Sequence, residues 1–554
     1  MISNTRYWFL LILVVLVYVA GMFVTLFEND SAQFAVMAMR MVQEQDFLNL
    51  FKGPEEYLDK PHLHYWLAAF SYSIFGIQDW AYRIPGILAT FLGAYSCFGL
   101  GRLLYSKDAG KLAALIFMTA QTIVLSVIDV RTDAVLTGFT IFAIWQLATY
   151  IETRKLLPLV LGAFGAAMAF STKGQIALLV TGFPILCHLA YTRKWSALVN
   201  WRILVALLVF FLCISPMLYA YYHQFDMHPE KVIRGKDHRS GIFFIFWEQS
   251  FERMSGDGMG KNSSDYFFFF HTFLWVFLPW TVLGIMAYWV KLKGILASRF
   301  RYVAHMEFLT IGGIALIFIT ISFAQFKLPH YLNITIPLFS VLTGAYLCET
   351  IRAHKRRIVR ILLGIQYFIL ALVFFSGVLL CFFVFELNGI WPTIVLLALV
   401  AILIYFCLKR EHYYYRIITI SVCSSLLLNA VLNLHFYPSL LDYQGGSTMS
   451  RVIKEQRIPV DKIYKISPMY TWSLDFYNQN PVNITDLEGL KAKKDVWVYV
   501  TEADFDALKS RDFEWDRQYV VDNFRITRLQ AKFMDPKKRD AILDHMYLLH
   551  IKSH

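Results

Sequence analysis

Charge is scarce in this 554-residue chain: 17% of its residues are Asp, Glu, Lys or Arg, against 57% hydrophobic and 17% aromatic. So little charge excludes an ordinary soluble domain and a disordered chain alike. The 16 prolines and 29 glycines are spread out and no heptad repeat is sustained, which excludes collagen and coiled coil. The seven cysteines (Cys97, Cys187, Cys213, Cys348, Cys381, Cys407 and Cys423) all fall within or at the ends of apolar stretches. Neither a disulfide framework nor a cysteine-based zinc site follows from that placement.

What the chain has instead is long apolar runs, each roughly 17 to 25 residues, the length a helix needs to cross about 30 Å of hydrocarbon. Hydropathy and breaks predict about thirteen spans: 7–27, 80–104, 111–128, 133–151, 156–172, 175–192, 203–222, 264–290, 308–326, 330–349, 358–384, 391–408 and 416–437. The first is read as an anchor rather than a signal peptide, because only Arg6 precedes it and no small-residue cleavage pattern follows.

The formal +12 charge does not point to nucleic acid. From Pro438 onward 18 Lys and Arg face 17 Asp and Glu, so the excess lies in short loops of the membrane part. With a cytoplasmic N-terminus, the inner loops hold Arg102, Lys107 and Lys111; Arg154 and Lys155; Arg193, Lys194 and Arg202; Lys291 to Arg301; Arg352 to Arg360; and Lys409, Arg410 and Arg416. The outer loops, 28–79, 129–133, 172–174, 222–263, 326–330 and 386–389, carry the acidic and mixed polar residues. The expected fold is an all-α polytopic membrane domain over 1–437, including the outer loops 28–79 and 222–263, with a small extracytoplasmic (periplasmic) α/β domain over 438–554. In that tail, Asp495 to Thr501 reads as a strand and Glu502 to Lys509 as a helix. No Gly-rich phosphate loop accompanies them, which suits an accessory or lid role.

Three outer segments put acids or bases at a span edge: Glu28-Asn29-Asp30, Asp129-Val-Arg131-Thr-Asp133, and Phe326-Lys327-Leu-Pro-His330-Tyr331. A fourth, Tyr57-Leu58-Asp59-Lys60-Pro61, separates two amphipathic pieces, Ser31 to Gln43 and Pro61 to Phe75, of a kind that can lie in the interface plane. Desolvating unpaired charge costs several kcal/mol, so such groups at one depth point to a shared polar site. Singly, Asp30 reads equally as a solvated helix end and Lys60 as a snorkelling lysine. Structural hydrogen bonding or interface placement is favoured over metal ligation for His62, His64 and His330, since no ligand spacing accompanies them. The Phe267 to Phe270 run is read as lipid-facing or packing.

These residues, in this order, resemble a family: the membrane-embedded GT-C glycosyltransferases, in the branch of the protein O-mannosyltransferases and the lipid A 4-amino-4-deoxy-L-arabinose transferase. The resemblance rests on Asp30 with Phe34-Ala-Val-Met-Ala-Met-Arg-Met41, Tyr57-Leu-Asp-Lys-Pro-His-Leu-His-Tyr-Trp66, Phe75-Gly76, Arg83-Ile-Pro85, Arg131-Thr-Asp133 and Lys327-Leu-Pro-His-Tyr331. It implies a GT-C fold and transfer of a sugar from a polyprenyl-phosphate (undecaprenyl-phosphate) donor to a lipid, glycan or protein acceptor outside the cytoplasm. By the same resemblance, Asp30 is the candidate general base, Asp133 a second orienting carboxylate, and Asp59 a carboxylate that positions Lys60 or assists a metal. Lys60, Tyr57, Arg131, Arg253, Lys327 and Tyr331 are the candidates to bind the donor phosphate. Where the arabinose transferases tend to carry Asp-Glu-x-Arg-Tyr, this chain reads Asp30-Ser-Ala-Gln33-Phe34, without the cation and the phenol. Trp247-Glu-Gln-Ser-Phe-Glu-Arg253 follows the family's Glu-His stretch only loosely, so no metal is assigned, and a divalent ion stays open as a cofactor.

The rival from another class is a lipid-linked-sugar transporter or flippase, which would more often place ionisable residues at mid-membrane and show internal repeats. A sensor or scaffold using the tail as a binding module is a third reading, and it needs no acidic cluster.

Overall fold

The computed structural model describes residues 3–249, 251–252, 265–303, 306–387, 389–409 and 412–552. Among them, ten helices are long and apolar enough to cross a bilayer: Asn4–Gly21, Asp79–Leu104, Asp133–Thr153, Leu156–Lys173, Gln175–Thr192, Arg202–Asp226, Pro329–Arg352, Arg356–Val384, Ile390–Leu408 and Tyr415–Leu441. The chain is a multi-pass integral membrane protein. Its remaining three expected spans are broken or short. Residues 111–128 divide at Ala120, whose backbone is extended, into the helices Lys107–Thr119 and Gln121–Leu125. The polar step there is structural, because the amides of Gln121 and Asn429 exchange hydrogen bonds across the bundle at 3.2 and 3.1 Å. The described part of the span expected at 264–290 belongs to two helices, Phe268–Val276 and Thr281–Ala297, separated at Pro279, which has no N–H with which to continue the first. The span expected at 308–326 is a 15-residue helix, Leu309–Phe323.

Arg83 ties the end of the first helix to the rest of the bundle. Fully buried, its guanidinium donates to the carbonyls of Ile128 at 2.9 and 3.1 Å, Met22 at 3.0 Å and Thr25 at 3.4 Å. A buried arginine lacking such acceptors would be costly, so this residue fixes where the two segments that follow Thr25 and Ile128 run.

The two amphipathic pieces form the helices Gln33–Glu44 and Leu63–Phe75. The second starts two residues after Pro61. The first departs from an interfacial helix: Phe34 to Met39 are all buried, between Leu63–Phe75 and a helix of the tail, Trp472–Asn478. The second keeps a lipid-like edge, with Phe70, Ile74 and Phe75 exposed.

The tail carries a five-stranded mixed sheet in the order Asn483–Ile484, Ile463–Lys465, Val496–Thr501, Asp544–Ile551, Trp515–Asn523; the first three are parallel and the last two pair antiparallel. The run Val496–Thr501 is apolar throughout because both its faces are covered. Val498 and Val500 pack with Leu508 and Leu549, and Trp497 and Tyr499 with Met449 and Leu548. The following helix, Glu502–Lys509, begins with a Thr501–Asp504 capping box.

Candidate active site

Five segments remote in sequence meet at one end of the bundle. They line a cavity of about 130 Å³ whose walls include Asp30, Tyr57, Asp59, Lys60, Arg131, Asp133 and Tyr331. The end bearing the Lys/Arg-rich loops is the other one, where Lys111 meets Asn4 and Arg352 meets Asp108.

Local structure explains each position. Asp133 opens the helix Asp133–Thr153, where the helix dipole favours a carboxylate. Its Oδ1 accepts from Lys173 Nζ at 2.7 Å, both side chains being buried, and His330 Nε2 stands 3.8 Å from Oδ2. Lys173 ends the helix Leu156–Lys173, and its ammonium also lies 4.9 Å from the Tyr331 ring centre. The chain turns at once through Gly174 at φ 71° and ψ −146°, a region open to glycine, and a Cβ there would collide with the Gln249 side chain. Gln249 in turn donates to the Asp59 carbonyl at 2.7 Å, joining the Lys173 corner to the Asp59 segment.

Asp30 lies in a single wide turn, Glu28–Ala32, ahead of the helix Gln33–Glu44. Its Oδ2 accepts from Arg131 Nη1 at 2.8 Å, while Arg131 Nη2 and Nε reach Asp129 at 3.0 and 3.1 Å. Burial alone would lower the Arg131 pKa, but the flanking Asp129 and Asp30 outweigh it and hold the guanidinium above its ordinary range. Lys60 donates to Asp59 at 2.7 Å, and Arg234 lies 3.4 Å from the other Asp59 oxygen. That carboxylate is thus occupied by two cations, and among the described residues no three His, Cys, Asp or Glu side chains converge as metal ligands. The donor set does not fit a divalent ion at Asp59.

Asp30, Tyr57 and Asp59 also form the border of a second, larger cavity of about 750 Å³. Its wall carries Arg234 and Arg239, each held by carboxylates: Arg239 bridges Glu248 at 3.0 Å and Glu252, and Arg234 meets Glu252 at 3.1 Å.

Seven of the nine expected site residues therefore share one cavity. Lys327 does not line it. Residues 326–328 are extended or bent, with Phe326 and Leu328 on the wall; Lys327 between them points the other way, to within 5.2 Å of the Tyr266 ring centre. Arg253 lies outside the described residues. His62 and His64 are structural: the first bonds the Leu48 carbonyl and the second the Tyr82 hydroxyl, both at 2.9 Å. Desolvation lowers both imidazoles to about 4, which keeps them neutral at physiological pH. Of the Phe267 to Phe270 run, Phe269 is buried and Phe267 and Phe270 are exposed. Reasoning from the sequence missed Lys173, although it is the only cation in the short 172–174 turn, on the acid-rich face.

A model of the dolichyl-phosphate-mannose-protein mannosyltransferases matches residues 59–220. The chain is 23% identical over 350 residues to undecaprenyl phosphate-alpha-4-amino-4-deoxy-L-arabinose arabinosyl transferase 2 of Proteus mirabilis, covering 61% of this chain and 58% of that protein. It is 24% identical to the corresponding transferase of Edwardsiella ictaluri, covering 58% and 55%. The chain thus spans less than two thirds of the length of either relative. Over its whole length it superposes on ArnT from Cupriavidus metallidurans bound to undecaprenyl phosphate, with a TM-score of 0.73, 15% identity, and 99% and 98% of the two chains covered. The fold is that of the GT-C membrane glycosyltransferases. The sequence and structural likenesses both fall on ArnT-like transferases.

Proposed function

We propose that this chain is a glycosyltransferase that moves a sugar from a polyprenyl-phosphate donor, of the undecaprenyl-phosphate kind named in its relatives, to an envelope acceptor. The observation that carries the reading is the meeting of Asp30, Lys60, Asp133 and Lys173 on one cavity wall. In the reaction an acceptor oxygen attacks the anomeric carbon and the bond from that carbon to the phosphate oxygen breaks, its electron pair leaving with the lipid phosphate. Asp30 takes the proton of an acceptor hydroxyl. Lys60 stabilises the charge that grows on the leaving phosphate, with Tyr57 and Tyr331 as hydrogen-bond donors. Asp133, held by Lys173, orients the sugar. Arg131 directs three of its five donors at Asp30 and Asp129, so it aims Asp30 and keeps N–H groups with which to bind the phosphate. The larger cavity beside Asp30 admits the acceptor.

Positively charged loops at the far end support a cytoplasmic N-terminus, which puts the cavity and the C-terminal domain on the extracytoplasmic side of an inner membrane. The test is mass spectrometry of envelope lipids and glycans from cells carrying wild type, Asp30→Asn or Asp133→Asn at equal membrane levels. A sugar increment present with wild type should disappear in both variants. An unchanged increment in both would overturn the assignment.

A further inference from the structure

The segment that presents Asp30 makes few backbone hydrogen bonds of its own, Ala32 N donating to the Phe27 carbonyl at 2.9 Å and Gln33 N to the Asn29 and Asp30 carbonyls, and the C-terminal domain supplies several more. Leu26 N donates to the Tyr477 hydroxyl at 2.8 Å. The single amide of Gln444 serves two further groups, donating Nε2 to the Leu26 carbonyl at 2.9 Å and accepting from Glu28 N through Oε1 at 2.8 Å. The Glu28 carboxyl is buried against Ser473, accepting from its backbone N at 3.2 and 3.3 Å and from its hydroxyl. Asn29 Nδ2 donates to Thr527 Oγ1 at 3.1 Å. Gly446 leaves the room this requires, since a Cβ there would press on Ser473 Oγ and stand 3.2 Å from Glu28 Oε2. Behind these bonds, Trp472 and Phe476 of the tail share one buried cluster with Phe34, Tyr65, Tyr72 and Tyr82.

Buried backbone groups left without partners are expensive, so a segment that draws several of its partners from another domain is biased toward the conformation that domain imposes. From this geometry we infer that the C-terminal domain is a positioning clamp for the Asp30 turn, with Gln444, Glu28 and Ser473 as its positioning residues. None of the three side chains lines either cavity. They act through Asp30, by holding the two residues before it while Arg131 holds its carboxylate. The inference rests on the reading of Asp30 as the acceptor base, and it gives the tail a role beyond that of a lid.

The test uses the full-length protein in detergent or nanodiscs, with two readouts. Amide hydrogen exchange of residues 26–32 reports the clamp without reference to activity. Transfer kinetics on an undecaprenyl-phosphate-linked sugar report its consequence. Gln444→Ala and Glu28→Ala should raise exchange in 26–32 at least tenfold and lower kcat ten- to a hundredfold with donor KM within threefold of wild type. Glu28→Gln, which can still accept from Ser473 N and donate to its hydroxyl, should restore most of both. Unchanged exchange in Gln444→Ala would overturn the clamp, as would raised exchange with wild-type kcat, or loss of kcat that Glu28→Gln does not recover. If Asp30→Asn itself kept full activity, the functional reading would fail instead, and the exchange data would still decide whether the domain orders the turn.

Discussion

Two of the site's carboxylate–cation pairs look alike in sequence and differ in the fold. Asp133 and Lys173 are sealed, with side chains 4% and 7% exposed. Asp30 stands at the junction of the two cavities and Arg131 on the wall of the smaller one, 44% and 19% exposed. A sealed pair is a fixed element: neither partner can give up the other without stranding a charge in a low dielectric. An open pair can exchange partners with water and substrate at little cost, which suits a group that must accept a proton. On the proposed function, the two carboxylates of the cavity divide the work by environment, one orienting and one reacting.

The contrast has measurable edges. Breaking the sealed pair with Lys173→Met should destabilise the protein by about 3–5 kcal/mol, read as a fall in thermal midpoint in detergent. A loss below about 1 kcal/mol would show that Asp133 is not sealed. The next effect comes from pH. Burial, aided by the nearby Asp475 and opposed by the Ser473 hydrogen bonds, raises Glu28 from 4.5 to about 7; Lys465 and Tyr499 are the other titratable groups acting there, and Asp475 is itself raised to about 6 by burial. A carboxyl whose folded pKa lies above its unfolded value binds the extra proton in the folded state. Its contribution to the docked domain is therefore complete below about pH 4.5 and is lost as pH rises through about 7. The slope should approach ~1.4 kcal/mol per pH unit within that window. Exchange of residues 26–32 should accelerate from pH 5 to 8 in wild type and show a flatter profile in Glu28→Gln. The smallest change in stability belongs to the open pair: Arg131→Met should alter the midpoint by no more than ~1 kcal/mol while kcat falls. An equal loss of stability in the Arg131 and Lys173 variants would erase the distinction between the pairs.

Asp30, Tyr57, Lys60, Arg131, Asp133 and Tyr331 could be found in the sequence because each stands at the edge of an apolar run, where charge and phenol are conspicuous. Lys173 escaped notice because Ser171-Thr-Lys-Gly174 reads as a bare turn; its importance appears only when the helix end is placed beside Asp133. The place of Lys327 off the cavity wall is hidden for a related reason. Its neighbours face the cavity, and only the extended backbone tells which of three successive side chains turns away. The Arg234 and Arg239 network lies in a long segment without periodicity, so nothing in the sequence joined it to Glu248 and Glu252. About thirteen spans are expected where ten helices among the described residues are long and apolar enough to cross a membrane, because hydropathy averages over a single extended residue such as Ala120 and over the break at Pro279. The amphipathic helix Gln33–Glu44 has the pattern of an interfacial helix, and pattern alone does not reveal that the tail covers its second side.

The most direct measurement compares Asp30→Asn and Lys60→Ala in one preparation, with kcat and donor affinity determined for each on an undecaprenyl-phosphate-linked sugar. Asp30→Asn should lose about 100- to 10,000-fold in kcat with donor affinity unchanged. Lys60→Ala should weaken donor binding by about ten- to a hundredfold, the worth of a charge-assisted hydrogen bond. Wild-type kcat in the first together with wild-type donor affinity in the second would contradict a shared catalytic cavity.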